Sequence, residues 1–335
     1  MEVHHDQVGL STAEMSFLWS NYIGDTMLIC VFEHFLRNVE DKDIESVLLH
    51  GLDLATKHAK EVKDIFIKEN FPIPQGFGPQ DVNLDAPRLF SDQFYLYYLR
   101  LAIRGGLANF SIAFSNSHRD DVRKYFMHCI HEDTELFNKT VDLMLEKGLT
   151  SRPPGIPVPK KIDFIHDKAF LGEWFGEDRP LTSIEISNIF SNIETNMLGS
   201  ALLTAFSQTT EEKKLKNYFQ DGINIAKNHI ESLSKLMEND PLVLPQLWNP
   251  EISDCIKPVF SDKLMLQHNG HATTGGIGNY GIALASSQRR DIGAMYIKLT
   301  AESIMYGEKG ARLAISFGWL EQPPLSIDRD ELVKK

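Results

Sequence analysis

The stretch GGLANFSIAFSNSHRDDV at residues 105–122 decides the fold of this chain, because it returns 170 residues later as GGIGNYGIALASSQRRDI at residues 275–292. Eight of these 18 positions are identical, where average amino-acid composition gives roughly one match by chance. Two copies at so long a separation indicate a duplicated domain rather than a solenoid of short repeats.

The matching register extends through both halves of the chain. At the same offset of 170, Leu89–Asp92 matches Val259–Asp262 and Pro153-Pro154 matches Pro323-Pro324. At an offset of 171, Leu10–Glu14 matches Leu181–Glu185, Gly51 matches Gly222 and His58 matches His229. Positions in the two halves can therefore be compared one by one.

Composition is typical of two ordinary globular domains. With 335 residues and 42% apolar content, the chain can bury two cores of about 150 residues each. The net charge of −12 disfavours binding to nucleic acid or to an anionic membrane. No apolar run approaches the ~20 residues of a membrane span, and the start of the chain lacks signal-peptide features. We expect a cytoplasmic protein with neither nucleic-acid nor membrane partners, and its three separated cysteines fit a reducing compartment.

Each half predicts four helices. Ser11 and Glu14 have the spacing of a capping box at the start of the first helix, and Thr182 and Glu185 repeat it. The second helix runs to about Asn70, and a Pro- and Gly-rich stretch of about 20 residues then precedes the third helix. A tight turn separates the third helix from the fourth, which ends near Gly148.

The loop lengths predict how these helices are connected. Short turns make the first and second helices one antiparallel hairpin, and the third and fourth another. About 20 extended residues reach ~65 Å, which is enough to cross a bundle of ~39 Å helices. The prediction is an all-α protein of two tandem ferritin-like four-helix bundles, at residues 8–150 and 178–325. The linker, residues 151–177, is expected to pack on the bundles because it contains Phe164, Phe170, Trp174 and Phe175.

Three segments carry a resemblance to a known family. They are Phe260–Met265, Gly276–Gly281, and Gly172–Gly176 ahead of Leu181. The chain resembles an uncharacterised family of helical-bundle proteins from endospore-forming bacteria, often with tandem bundles, of which some members are labelled as spore coat proteins. The resemblance implies the ferritin-like fold and an association with spores, and it implies no role for any individual residue.

Ferritin-like bundles commonly hold a di-metal site, which requires Glu-x-x-His on two helices. No predicted helix contains this motif, since Glu2 and His5 lie in the N-terminal tail. A partial set remains in matching positions: His58, Glu132, Asn21 and Asn109 in the first half, and His229, Glu302, Asn192 and Asn279 in the second. Each His and Glu are expected to meet inside their bundle. They would form either a structural pair that fixes the helix register or part of a site for an Fe, Mn or Zn ion.

Three local patterns leave alternatives open. His128 and His131 have helical spacing for a metal site or for an ordinary solvated face, and His268 and His271 indicate either a pocket or a helix irregularity. The glycine pairs Gly105-Gly106 and Gly275-Gly276 lie inside helices, where glycine costs ~1 kcal/mol relative to alanine. They favour the close approach of another helix, with a kink beside a ligand pocket as the alternative.

These patterns predict a protein without enzymatic activity, associated with the spore or its coat through protein–protein contacts or self-association. One alternative is a metal-binding ferritin-like protein or oxidoreductase with a reduced ligand set. The other is a small-molecule binding protein with an apolar cavity beside one of the glycine pairs.

Overall fold

A computed structural model describes residues 8–150, 152–172, 179–238, 244–245, 251–326 and 328–329. This part of the chain is all-α and contains two similar groups of four helices. The first group is α1 (Thr12–Asn38), α2 (Lys42–Lys68), α3 (Asp92–Asn116) and α4 (Asp120–Glu146), and the second is α5 (Ser183–Thr209), α6 (Lys213–Glu238), α7 (Asp262–Ser286) and α8 (Arg290–Ser316). None of these helices is long and apolar enough to cross a membrane.

The predicted helix starts are confirmed, and two of them also tie helices together. Ser11 with Glu14 and Thr182 with Glu185 form complete capping boxes, each stabilising its helix by ~1 kcal/mol. The carboxylate of Glu14 also accepts hydrogen bonds of 2.8 Å from the backbone N–H groups of His118 and Arg119. Glu185 does the same for the turn before α8. One glutamate in each half therefore fixes the start of the first hairpin to the turn of the second.

The relative directions of the helices follow the loop-length argument. Gly51 on α2 faces Leu99 on α3, and the ring of His58 meets the ring of Phe110 at 5.8 Å, so α2 and α3 run parallel. Lys147 near the end of α4 binds Asp41 at the start of α2 at 2.7 Å, so α2 and α4 run antiparallel. Each bundle consists of two hairpins joined by a long crossover.

The two crossovers pair with each other in a symmetric way. Val82 and Phe90 of the first crossover form isolated antiparallel bridges with Phe260 and Ile252 of the second. Four interchanged backbone hydrogen bonds surround the bridges: Asn83 N to Val259 O at 2.8 Å, Ser253 N to Leu89 O at 3.0 Å, Ser261 N to Asp81 O at 2.9 Å and Ser91 N to Glu251 O at 2.9 Å. The first bond corresponds to the second and the third to the fourth, because replacing both residues of a bond by their counterparts 170 positions away gives the other bond. The halves therefore meet like the subunits of a two-fold symmetric dimer.

The pseudo-two-fold axis passes between Tyr98 and His268. These residues occupy the same position in the two halves, and the Tyr98 hydroxyl lies 2.5 Å from His268 Nε2. Around them the buried apolar side chains of both halves form one continuous core. The duplicated bundles are therefore packed against each other through a shared core.

The linker departs from its expected packing. Phe164 is 77% exposed, Phe170 is half-buried against the guanidinium of Arg179, and Trp174 and Phe175 lie outside the described residues. The prediction that the aromatic residues hold the linker on a bundle is wrong for Phe164. Residues 153–159 include four prolines, which fix an extended backbone and lack N–H donors, so this segment has little capacity to dock.

Candidate functional site

In the second bundle, one side chain from each helix joins a buried hydrogen-bond network. Asn196 on α5 donates to the hydroxyl of Tyr280 on α7 at 2.7 Å. That hydroxyl lies 3.0 Å from His229 Nδ1 on α6, and His229 Nε2 lies 2.9 Å from Glu302 Oε2 on α8. Because the hydroxyl accepts from Asn196, it donates its own proton to Nδ1, and Nε2 carries the proton that binds Glu302. The partners thus select one tautomer of His229.

The first bundle contains the same histidine–glutamate contact with a different environment. His58 Nε2 lies 3.1 Å from Glu132 Oε2, and Lys57 binds the other oxygen of that carboxylate. The position of Tyr280 is occupied by Phe110, and the tyrosine of this bundle, Tyr125, comes instead from α4. Asn21 donates to its hydroxyl at 2.5 Å, and this hydroxyl contacts the backbone oxygen of His58 at 3.5 Å and the side chain of Cys129.

Both histidines are buried while their glutamates reach the surface. His58 and His229 are 3% and 1% exposed, whereas the side chains of Glu132 and Glu302 are 19% and 34% exposed. Burial lowers the pKa of both histidines, and the glutamate partners only partly oppose this effect. Burial acts to raise the pKa of Glu132, but hydrogen bonds from Lys57 and His58 outweigh it and leave that pKa lowered. At neutral pH each imidazole is therefore neutral and donates to its glutamate.

The geometry favours a structural role for these pairs. A metal ion between His229 and Glu302 would replace the Nε2 proton and would need further ligands. Across the described part of the chain, no group of three or more His, Cys, Asp or Glu side chains is arranged to hold a metal ion. What the network does is to connect all four helices of its bundle through oriented hydrogen bonds.

Sequence reasoning missed two buried carboxyl groups beside the first pair. Asp25 on α1 and Asp133 on α4 are both buried. Burial raises the pKa of Asp133 to about 7, with a further contribution from the charge of Glu132. Burial, and then the charge of Asp133, also raise the pKa of Asp25. The sequence carried a signal for Asp133, which lies four residues after Cys129 and three before Leu136 and therefore faces the core with both.

The other predicted residues lie apart from these networks. His128 and His131 are exposed, and His131 lies 3.4 Å from Glu135 on the surface of α4. His268 is buried at the pseudo-two-fold axis, whereas the partly buried His271 contacts Gln267 at 3.2 Å. The expected convergence of amides fails for Asn109, which is exposed because it lies next to the inward-facing Phe110 on α3.

The glycine pairs also differ from expectation. A Cβ atom on Gly106 would lie 2.6 Å from Asp133 Oδ2, but Gly105, Gly275 and Gly276 have no neighbour within 4 Å of such an atom. Close approach of another helix is thus wrong for these three, because that side of α3 and α7 faces open space. A cleft with a volume of about 370 Å³ lies elsewhere, with Gln75, Lys263, Trp319 and Glu321 in its walls.

Comparison with known proteins identifies the family. The model of the DUF3231 family, proteins of unknown function, matches residues 1–162 and again residues 169–332. The chain belongs to this family, as a tandem of two family units. No curated protein matches the chain. Among solved structures, a candidate spore coat protein from Bacillus halodurans is similar at 17% identity and a TM-score of 0.42, covering 46% of this chain and 100% of its own. A likeness of this size does not extend to function.

Proposed function

We propose that this chain is a non-enzymatic interaction protein, associated with the spore or its coat and acting through exposed helix faces. The observation that supports it is a set of large apolar residues that recur, more than half exposed, at the same three positions of both halves. They are Ile112 and Ile282, Met127 and Ile297, and Leu145 and Ile315. Single exposed apolar residues are common on protein surfaces, but their repetition at equivalent positions supports a surface used for contact.

In this proposal the histidine–glutamate pairs are parts of the scaffold. Each pair lies where two helices of a bundle meet, and the partners satisfy the buried imidazole. Correct pairing specifies how α2 meets α4, and how α6 meets α8, because a shifted helix would leave a buried polar group without a partner. A rigid scaffold keeps the exposed helix faces in a fixed arrangement.

The spore association comes from the family resemblance and is tested by location. A tagged chain is produced in a spore-forming host, and the coat, core and mother-cell fractions are probed. We expect the native chain in the coat fraction. A variant with Ile282→Lys and Ile297→Lys should be released from it, whereas exposed polar positions of the same hairpin, as in Gln288→Lys with Thr274→Lys, should have no effect. Absence of the native chain from the coat, or retention of the apolar variant, would overturn the proposal.

A second candidate is a metal-binding bundle, supported by the occurrence of the same pair in both halves. Elemental analysis of the purified protein tests it. Stoichiometric Fe, Mn or Zn that is lost in His58→Gln with His229→Gln, while the helical content is retained, would favour a metal site. We expect no stoichiometric metal, and no change in metal content between the native chain and this variant.

A further inference from the structure

The outer face of α8 carries a stripe of exposed apolar side chains along most of its length, with the exposed Glu308 between Ile304 and Ile315. Ile297, Ile304 and Ile315 are each more than half exposed, and Met305 lies beside them. At 3.6 residues per turn, Ile297 and Ile315 point in the same direction and Ile304 is about 20° away. Ala301 and Ala311 fall between them on the same exposed face.

The equivalent face of α4 is interrupted by polar side chains. The two ends of the stripe are shared, as Met127 and Leu145. The middle is not, because Thr134 and Glu135 stand where α8 has Ile304 and Met305. Within the duplicated frame, only the second half has large apolar residues at these two middle positions, so the fold of a single unit does not by itself require them.

The stripe is complementary to itself in the antiparallel direction. Reversing α8 about Tyr306 places Ile297 opposite Ile315 and Ala301 opposite Ala311. The isoleucines at the two ends then meet each other, and the small alanines let the two helix backbones approach closely. In the middle, Ile304 lies opposite Glu308, whose carboxylate binds Arg312 of its own helix at 2.7 Å. Such a pairing is isologous and closes after two copies.

Charge supports the same occupant. The chain carries −12 overall, so two copies repel each other over most of their surfaces. Helix α4 contains seven acidic and three basic residues, whereas α8 contains three acidic and four basic residues. An almost neutral helix on an acidic protein is a face where a second acidic copy can approach with little repulsion.

We propose that a second copy of this chain docks on α8, with the two α8 helices antiparallel. The inference rests on the proposed function, since it names the partner for one of the exposed faces. One helix face is smaller than the roughly 1,200–2,000 Å² of standard interfaces. The dimer should therefore dissociate on dilution.

Analytical ultracentrifugation over a concentration series tests the proposal with the full chain. We expect the native chain to pass from monomer to dimer as concentration rises, and Ile304→Glu to remain monomeric. The matched control is Thr134→Glu, at the same position of α4, which should dimerise like the native chain. Thermal unfolding checks that both variants are folded. A native chain that stays monomeric, or a dimer that persists in Ile304→Glu, overturns the inference.

Cross-linking locates the contact independently. The native Cys30, Cys129 and Cys255 are buried, so an introduced thiol is the accessible one. A short bis-maleimide should join two Ile304→Cys chains through residue 304 but should not join Thr134→Cys chains. Failure of the Ile304→Cys chains to cross-link, or equal cross-linking of the Thr134→Cys chains, would contradict antiparallel α8 pairing. Coat localisation with a monomeric native chain would reject this inference alone, whereas a dimer absent from the coat would reject the spore association alone.

Discussion

The two halves share one frame, but the polar groups in their cores differ. The first half buries two carboxyl groups, Asp25 and Asp133, where the second has Asn196 and Ser303. The second half instead buries a stacked pair, Tyr218 and Tyr306, 4.4 Å apart between ring centroids. Asn269 donates a 3.0 Å hydrogen bond to each hydroxyl of that pair, whereas the first half has Val47, Leu136 and Leu99 at these positions. After duplication, backbone geometry was retained more strictly than the chemistry of the interior.

The contacts between the halves have diverged as well. On one side of the axis, Arg100 binds the buried Glu194 at 2.6 Å, and Arg104 donates to Thr195 at 3.0 Å. The equivalent positions on the other side are Gly270 for Arg100 and Ile23 for Glu194. The charged contact on one side of the axis corresponds to a small and an apolar residue on the other side, so the two halves are no longer interchangeable. Four predictions test how far the divergence goes.

The largest effect is expected from Asp133→Asn. The folded state raises the pKa of Asp133 to about 7, whereas the unfolded chain releases this proton near the ordinary aspartate value of about 4. Stability is therefore lost as pH rises from about 4 to about 7. At pH 8 the asparagine variant should be more stable by up to ~4 kcal/mol, and at pH 4 the difference should nearly vanish.

Urea unfolding at both pH values measures this difference. The exposed Asp142 on the same helix provides the control, since Asp142→Asn should change stability by less than ~0.5 kcal/mol at either pH. Equal stability of native chain and Asp133→Asn at pH 8 would show that Asp133 is not held protonated by burial.

The next effect compares Gly222→Ala with Gly51→Ala. A Cβ atom on Gly222 would lie 2.2 Å from the Tyr306 hydroxyl and 2.7 Å from Leu203, whereas on Gly51 the nearest atom is Leu99 Cδ1 at 3.1 Å. The stacked, hydrogen-bonded Tyr306 cannot move away without breaking its contacts, so Gly222→Ala should destabilise by ~2–3 kcal/mol. Gly51→Ala should stay within ~1 kcal/mol of the native chain, because helix propensity offsets the tighter packing. Similar thermal shifts for the two would contradict the comparison.

The contact on the axis comes third. Burial lowers the pKa of His268 to about 4, with a further contribution from His271, so the ring is neutral, and its Nε2 shares one hydrogen bond with the Tyr98 hydroxyl. Tyr98→Phe leaves that nitrogen buried without its partner and should cost ~1–3 kcal/mol. In a double-mutant cycle with His268→Phe, the coupling should exceed ~0.5 kcal/mol. Additive losses would mean that the two residues act separately.

Periodicity, caps and loop lengths were sufficient to predict the helices and their directions. Ser11, Ser91 and their counterparts are local N-cap signals, and each of them caps its helix in the structure. A crossover of about 20 residues leaves few alternative ways to connect the two hairpins. His58 could be placed inside its bundle because its neighbours on the helix stripe are apolar. Those features depend on residues close in sequence, or on the length of a connection.

What could not be predicted depends on the meeting of distant segments. The pseudo-two-fold pairing joins Asn83 to Val259, and no local pattern in either crossover specifies its partner. The role of Tyr280 as a donor to His229 follows only from the rotation of α7 against α6, while the matching residue in the first half is a phenylalanine. Phe164 is exposed although its segment is rich in aromatic residues, because the prolines that keep residues 153–159 extended give this part of the linker little capacity to dock.

The smallest effect is expected from exchanging the residues that distinguish the two histidine networks. Tyr280→Phe removes the hydroxyl that accepts from Asn196 and donates to His229, and it recreates the phenylalanine of the first half. One buried acceptor, Nδ1, then loses its donor, so the loss should be ~1 kcal/mol. The folded state lowers the pKa of His229. The stability that the neutral His229 ring contributes is therefore present above the ordinary histidine pKa of about 6.5, and it is lost as pH falls below that value.

The reciprocal change, Phe110→Tyr, introduces a hydroxyl next to His58 and should gain no more than ~0.5 kcal/mol, since the existing Tyr125 already occupies Asn21. Nitrogen-15 chemical shifts of the histidine rings measure the tautomers directly. In the native chain His229 should carry its proton on Nε2, and in Tyr280→Phe the Nδ1 signal should move towards that of a nitrogen without a hydrogen-bond donor. An unchanged signal would mean that Tyr280 does not orient His229. The two halves would then differ in composition at this site without differing in how they hold the imidazole.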